Sequence, residues 1–174
     1  LVYNPRKTID ISHIVPTEMD NEFRNQLIHG FVHDQGAALC GGISGHAGLF
    51  GNAMDVAVMM QLFLNKGIYN EKRYIDSVTV EMFTMKQYPN NRRGLGFDKP
   101  TNVKGVGSCA DEASPQSFGH TGFTGTFAWS DPKYNLTLVF LSNRIYPNAE
   151  NKKLLKLNIR SKVHQLAYQA INVY

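Results

Sequence analysis

Residues 119–125 read Gly-His-Thr-Gly-Phe-Thr-Gly, three glycines interleaved with polar residues and one aromatic side chain. The run that follows, to residue 142, is dense in β-branched and aromatic residues, which predicts strands around this stretch. Glycine at the end of a strand lets another backbone or a ligand approach closely. A simple turn between two strands explains the local composition equally well, so the surrounding elements must decide between a turn and a binding site.

The elements that follow this stretch are predicted to be a β-hairpin and then a helix. Residues 126–130 and 136–141 are predicted to be the arms of an antiparallel hairpin, because the turn residues of 131–135 separate them. The second arm is apolar at nearly every position, which is typical of a strand covered on both faces. From about 151 to 171, apolar residues recur at helical spacing and predict one long amphipathic helix lying on the sheet. Its apolar stripe comprises Leu155, Ile159, Val163, Leu166 and Ala170.

The first half of the chain is predicted to be mainly helical. Asn52 is a suitable N-cap for a helix over 52–66 with Asp55 in its first turn. A shorter helix is expected over 77–85 after Asp76, with Val78, Met82 and Met85 on a common side. Residues 89–117 are weakly periodic and should form a loop with one short strand near 95–97.

Composition limits the class of protein. A chain of 174 residues with 43% hydrophobic and 18% charged residues is typical of one globular domain. The formal net charge of +4 is small, and the basic run over 152–162 fits a solvated helix face, so we expect no nucleic-acid partner. No apolar stretch approaches the roughly 18 residues of a membrane span. Cys40 and Cys109 form one disulfide or none, since sequence supplies no distance between them.

With His-Thr-Gly at 120–122 between predicted strands, and a terminal helix behind them, the chain resembles the class C β-lactamase, D,D-peptidase and esterase family. In these penicillin-recognising serine hydrolases, the strand that borders the active site carries Lys-Thr-Gly or His-Thr-Gly. The glycine-rich segment 39–50, followed by a helix with an early aspartate, is similar to another family segment. Val-His-Asp at 32–34 resembles bacterial members that are in some cases fused behind a family 3 glycoside hydrolase.

The resemblance implies an α/β (α+β) chain with part of the serine β-lactamase/transpeptidase-like fold, an antiparallel sheet with the C-terminal helix packed on it. Residues 1–174 would then be the C-terminal portion of a single domain. Its helical region would cover about 1–116, and its three strands and terminal helix about 117–174.

The resemblance also implies roles for the motif. His120, in the lysine position, and the backbone N–H of Phe123, as an oxyanion donor, would be catalytic, while Thr121, Gly122 and Thr124 would bind substrate. No cofactor and no metal are expected. Because an imidazole with an unperturbed pKa near 6.5 is largely neutral at pH 7, it anchors a carboxylate less strongly than lysine does. This favours a peptidase, esterase or amidase over an efficient β-lactamase.

The family nucleophile is the serine of a Ser-x-x-Lys motif that opens a helix. Among the serines only Ser130 has a lysine three positions on, and it lies at the predicted hairpin turn. We therefore expect a fragment, starting at Leu1, that lacks its nucleophile and is inactive alone. Its expected partners are the missing N-terminal segment and a cell-wall peptide, β-lactam or ester. An exposed apolar edge at 136–141 should pair with that segment or with a second copy. The resemblance implies a periplasmic or cell-envelope location.

Rival interpretations remain open from the sequence. His29 and His33 could share a helical face and bind a metal, although Gly30 weakens a helix there and the zincin glutamate is absent. Residues 42–46, Gly-Ile-Ser-Gly-His, lack the second glycine of a nucleophile elbow and fit a glycine-rich loop. Arg144 could face an anionic substrate or cap strand carbonyls. The whole chain could also be a non-catalytic cell-wall binding or sensing domain, or an accessory domain of a glycoside hydrolase.

Overall fold

The computed structural model describes residues 1–101 and 103–171. Within them, strands and helices mix along the chain. The strands are β1 (Val2–Tyr3), β2 (Pro16–Asp20), β3 (Gln26–His29), β4 (Leu49–Phe50), β5 (Ile68–Tyr69), β6 (Lys72–Arg73), β7 (Phe118–Thr121), β8 (Phe127–Asp131) and β9 (Leu136–Phe140). The helices are α1 (Gln35–Leu39), α2 (Ala53–Leu64), α3 (Ser77–Thr84), α4 (Lys153–Lys156) and α5 (Ile159–Ile171).

The three strands of the second half form one antiparallel sheet in the order β7-β8-β9, as predicted. The β8–β9 register places Asp131 opposite Leu136 and Phe127 opposite Phe140. Asn135 closes the turn in the left-handed conformation (φ 48°), which asparagine tolerates better than most residues. Among the described residues β9 pairs only with β8, so it ends the sheet.

The main core lies on this sheet. Phe127 and Trp129 stack with ring centroids 5.8 Å apart, and both are at most 1% exposed. Tyr168 of α5 joins the same cluster, together with Cys109 and Ala110 from the preceding loop. Since α2 also contacts β8 and β9, helices cover the sheet as the apolar second arm predicts. The α/β (α+β) fold class is confirmed.

The C-terminal helix differs from its prediction. Two helices replace the single one, because Asn158 takes a left-handed conformation (φ 50°) between α4 and α5. The predicted stripe is also wrong, since Leu155 is 43% and Leu166 63% exposed. The buried face of α5 carries His164 and Tyr168 instead, four residues apart and both fully buried.

Hydrogen bonds explain why these polar side chains are buried. Asp131 is fully buried, and its carboxylate accepts bonds from the Tyr168 hydroxyl (2.6 Å) and from the Ser114 N–H (2.8 Å) and hydroxyl (2.6 Å). The His164 Nδ1 atom accepts the Ala110 N–H at 3.2 Å. Hydrogen-bond partners that are distant in sequence therefore determine which face of α5 is buried. The spacing of apolar residues along the helix does not determine it.

Local capping signals locate the two longer helices of the first half. The Asn52 side chain accepts the Asp55 N–H and begins α2, and the Asp76 side chain accepts the Val78 N–H and begins α3. The predicted apolar side of α3 is wrong, because Val78 is 70% exposed. Val80, at 3% exposure, is the buried residue of this helix.

Several features of residues 1–116 were not predicted. β2 and β3 form an antiparallel hairpin, and β1 pairs with β4, so this part contains strands as well as helices. The prediction of a short strand near 95–97 is wrong. The pairing in this region consists of isolated bridges from the adjacent Asp98, to Arg93 and to Gly119. Cys40 is exposed, Cys109 is buried, and both are free thiols. Over residues 1–101 and 103–171, no helix combines the length and apolarity needed to cross a membrane.

Candidate functional site

The strand that carries His-Thr-Gly is fixed on both sides. β7 pairs with β8 in a register that places Gly119 opposite Trp129 and His120 opposite Ala128. On its other side, Gly119 exchanges two backbone hydrogen bonds with Asp98, at 2.7 and 3.1 Å. A Cβ atom at Gly119 would overlap the Ala128 carbonyl oxygen and the Trp129 ring, so only glycine fits this crossing.

A tight loop follows the strand and turns the chain into β8. The Gly122 N–H donates to the Thr126 carbonyl at 2.8 Å, and the Gly125 N–H donates to Gly122 at 3.1 Å. Gly125 has φ +116°, which side-chain-bearing residues rarely adopt, and a Cβ added there would lie 2.6 Å from the Ser142 hydroxyl oxygen. The Thr124 carbonyl oxygen accepts a hydrogen bond from the backbone N–H of Arg144 at 3.0 Å, so the loop is held in one conformation.

Two arginines brace this loop from its carbonyl side. The Arg144 Nε atom donates to Phe123 O at 2.7 Å and its Nη1 to Ala149 O at 3.2 Å. The Arg160 Nη1 atom donates to Thr126 O at 3.0 Å. Of the two roles that the sequence leaves open for Arg144, the structure therefore shows the capping of carbonyls and not the binding of an anionic substrate.

Phe123 lies at the tip of the loop and is 61% exposed. The Arg144 guanidinium lies 4.3 Å from the centre of its ring, and the His33 ring lies 4.9 Å away. Its backbone N–H donates to no acceptor among the described residues. A free N–H on a fixed, exposed loop can stabilise an oxyanion.

His120 makes two contacts that indicate which ring nitrogen donates and which accepts. Its Nδ1 lies 2.7 Å from Thr121 O, and its Nε2 lies 3.1 Å from Arg93 Nη1. A carbonyl oxygen only accepts and a guanidinium only donates, so Nδ1 carries the hydrogen and Nε2 offers its lone pair. This arrangement of partners suits the tautomer with its hydrogen on Nδ1.

Arg93 was missed by the sequence analysis. It precedes His120 by 27 residues in a segment that was predicted to be loop, and it reaches the site because Asp98 and Gly119 join that segment to β7. An arginine pair next to Gly-Leu-Gly at 94–96 gives no local signal of this contact.

The two histidines considered for metal binding have separate partners. His29 Nε2 contacts the carbonyl oxygen of Ile14, and His33 Nε2 lies 3.1 Å from Glu18 Oε1. His29 is the last residue of a strand, so the helical spacing that would bring the rings together is absent.

The glycine-rich loop contains an unexpected chain of hydrogen bonds. The Ser44 hydroxyl lies 2.8 Å from His46 Nδ1, and His46 Nε2 lies 2.9 Å from Asp34 Oδ1. Asp34 also caps α1 through the Ala37 N–H, and both bonds lower the pKa of its carboxyl, the Ala37 bond more. Because the His46 side chain is 63% exposed, water competes for it, and we interpret the chain as a tie between this loop and α1.

The serine that matches Ser-x-x-Lys is not accessible. Ser130 is fully buried in β8, and its hydroxyl lies 2.8 Å from Thr137 Oγ1 on the neighbouring strand. No substrate can reach this hydroxyl in the folded chain.

Two sequence comparisons show which proteins this chain is similar to. The family model described as Beta-lactamase matches residues 7–160. A putative D-alanyl-D-alanine carboxypeptidase of Escherichia coli strain K12 is 39% identical over 165 residues, covering 87% of this chain. A protein of the same description from Salmonella agona is 37% identical over 165 residues, covering 88% of this chain. This chain spans only 38% of the length of each of these relatives.

A solved structure supports the fold. The crystal structure of a beta-lactamase from Mycobacterium bovis superposes with a TM-score of 0.56 at 23% identity. The match covers 72% of this chain and 46% of that one. The sequence match over residues 7–160 and the shared fold lead to one conclusion: the chain belongs to the beta-lactamase family.

Proposed function

We propose that the full-length protein containing this chain is a serine hydrolase that acts through an acyl-enzyme on D-alanyl-D-alanine cell-wall peptides. β-Lactams and esters are further candidate substrates, because their carbonyl groups undergo the same acyl transfer. The observation that carries the proposal is the fixed β7 strand, which presents His120 and Thr121 beside the free N–H of Phe123. The names of the relatives from Escherichia coli and Salmonella support a carboxypeptidase.

In this proposal the motif forms the substrate-side wall. Thr121, Gly122 and Thr124 bind the peptide, and the Phe123 N–H donates to the oxyanion of the tetrahedral intermediate. His120 occupies the lysine position as a neutral imidazole. Loss of one oxyanion donor costs roughly 3 kcal/mol of transition-state stabilisation, so half of such a site supports little turnover.

The nucleophile, in this proposal, is a serine outside the 174 residues, and its own N–H supplies the second oxyanion donor. The burial of Ser130 supports this part of the proposal. Without the nucleophile the covalent path is lost, so we propose that these residues alone are inactive. With a cell-wall substrate, the location that we propose for the protein is the periplasm or cell envelope.

Release of D-alanine from a diacetyl-L-lysyl-D-alanyl-D-alanine peptide by the full-length protein tests the function. Thr121→Val should lower kcat/KM by roughly two- to tenfold, because the hydrogen bond from its hydroxyl to the peptide is lost and one hydrogen bond contributes about 0.5–1.5 kcal/mol. Thr8→Val, the same change at an exposed position, is the matched control. Tight peptide binding without D-alanine release would instead indicate a cell-wall binding or sensing domain.

A further inference from the structure

The Val-His-Asp segment at 32–34 lies against the tip of the loop that follows β7. The His33 ring lies 4.9 Å from the Phe123 ring, centroid to centroid, with 31° between the two planes. The backbone N–H of Phe123 donates to no acceptor among the described residues, and it is the oxyanion donor of the proposed function. Because ring and N–H belong to one residue, a contact that holds the ring also restricts the N–H.

The His33 ring is itself held by a carboxylate. Its Nε2 atom lies 3.1 Å from Glu18 Oε1 of β2, and the Glu18 side chain is only 13% exposed. A carboxylate accepts and does not donate, so the Nε2 atom carries the hydrogen of this bond. The bond is largely shielded from water and restricts rotation of the imidazole beside Phe123.

The backbone of the segment is also fixed by the β2–β3 hairpin. Three successive carbonyl oxygens accept hydrogen bonds from hairpin side chains. The Thr17 hydroxyl donates to Phe31 O at 3.0 Å. The Arg24 guanidinium donates to Val32 O at 2.7 Å and to His33 O at 2.9 Å. A planar guanidinium that bridges two carbonyls is a rigid support, so the position of His33 is set by the hairpin.

The same hairpin is bonded to the segment that carries Arg144. The Met19 N–H of β2 donates to Pro147 O at 2.7 Å. Arg144, three residues before this proline, lies 4.3 Å from the centre of the Phe123 ring. Both partners of the exposed ring, His33 and Arg144, therefore belong to segments that the hairpin holds.

We propose, resting on the proposed function, that His33 is a positioning residue for the oxyanion donor. Glu18 and Arg24 hold the imidazole, the imidazole holds the Phe123 ring, and the ring fixes the N–H at the loop tip. Because its Nε2 atom is bonded to Glu18, His33 acts through the ring contact and transfers no proton. The Val-His-Asp segment thereby contributes to the site without supplying a reacting group.

The test measures release of D-alanine by the full-length protein with His33→Ala. An oxyanion donor acts in the transition state, so kcat should fall about 5- to 30-fold while KM changes by less than about twofold. The loss is smaller than that of a whole donor, because the N–H is loosened and not removed. His33→Phe keeps a ring beside Phe123 and should return kcat to within about threefold of wild type. His33→Gln keeps a donor for Glu18 without a ring and should not.

A double-mutant cycle separates positioning from a general loss of structure. Phe123→Ala keeps the N–H but removes the ring, so adding His33→Ala to it should lower kcat by less than about a further twofold. His29→Ala is the matched control, since His29 belongs to the same hairpin but contacts the Ile14 carbonyl, and its kcat should stay within about twofold of wild type.

The ring contact has a readout that does not need turnover. In full-length protein labelled with para-fluorophenylalanine, the fluorine NMR signal of Phe123, assigned by its absence in Phe123→Leu, should shift in His33→Ala and stay in place in His29→Ala. Such a shift without turnover of the peptide by the wild type would refute the proposed function and support the ring contact. Turnover by the wild type with an unchanged kcat in His33→Ala would overturn the inference and leave the proposed function standing. An equal loss of kcat in His29→Ala, or the full further loss in the double variant, would also overturn it.

Discussion

Acid should weaken the fold through one buried histidine. His164 is fully buried, it accepts the Ala110 N–H through Nδ1, and it lies against the rings of Phe127 and Tyr168. Burial lowers its pKa from 6.5 to about 4, and the opposing effect of the Asp131 charge is smaller. The imidazole must therefore be neutral in the folded state.

The sign of the effect follows from proton binding. Between pH 6.5 and about 4 the unfolded chain binds a proton at His164 that the folded chain does not, so stability falls as pH falls through this window. At pH 4.5 the loss is about 2.5 kcal/mol relative to pH 7.5, since each pKa unit corresponds to about 1.36 kcal/mol.

The perturbation is His164→Asn, whose amide oxygen can still accept the Ala110 N–H but does not titrate. The free energy of unfolding, from urea titrations at pH 7.5 and 4.5, should lose about 2.5 kcal/mol less on acidification in this variant than in the wild type. His13→Asn, at an exposed histidine, should match the wild type. An equal acid loss in His164→Asn and the wild type would refute the reasoning.

Three other predictions concern packing and association. Tyr168→Phe removes a hydrogen bond to a fully buried carboxylate and should cost about 2 kcal/mol in unfolding titrations, whereas Tyr134→Phe, whose hydroxyl makes no bond among the described residues, should cost under about 0.5 kcal/mol. Gly119→Ala should destabilise by about 3 kcal/mol, because its Cβ meets the neighbouring strand, while Gly45→Ala, with open space around it, should be near neutral by thermal unfolding. We also propose that the free edge of β9 pairs with another strand, so residues 1–174 alone should form concentration-dependent dimers in sedimentation experiments; a monomer at every concentration would contradict this.

Local signals predicted much of the fold. Asn52 and Asp76 mark the starts of α2 and α3 because each side chain caps the N–H groups that follow it within a few residues. The turn before Leu136 likewise marks the β8–β9 hairpin through residues next to one another in the chain.

Two of the failures share a physical cause. The buried face of α5 depends on Asp131 and Ala110, whose hydrogen bonds to Tyr168 and His164 come from residues far away in sequence. Apolar spacing cannot report such partners, so the predicted stripe was wrong. His120 and its neighbours could be named as candidates because they are contiguous in the sequence, whereas Arg93 reaches His120 only through a backbone bridge at Gly119.

We propose that residues 120–124 form the substrate side of an acyl-enzyme site whose serine lies outside residues 1–174. Mass spectrometry of the full-length protein after reaction with a penicillin tests it most directly, since the acyl-enzyme adds the mass of the antibiotic to one serine. We expect a single adduct on a peptide outside these residues, formed more slowly in Thr121→Val. An adduct on a serine within residues 1–174 would contradict it, as would the absence of any adduct.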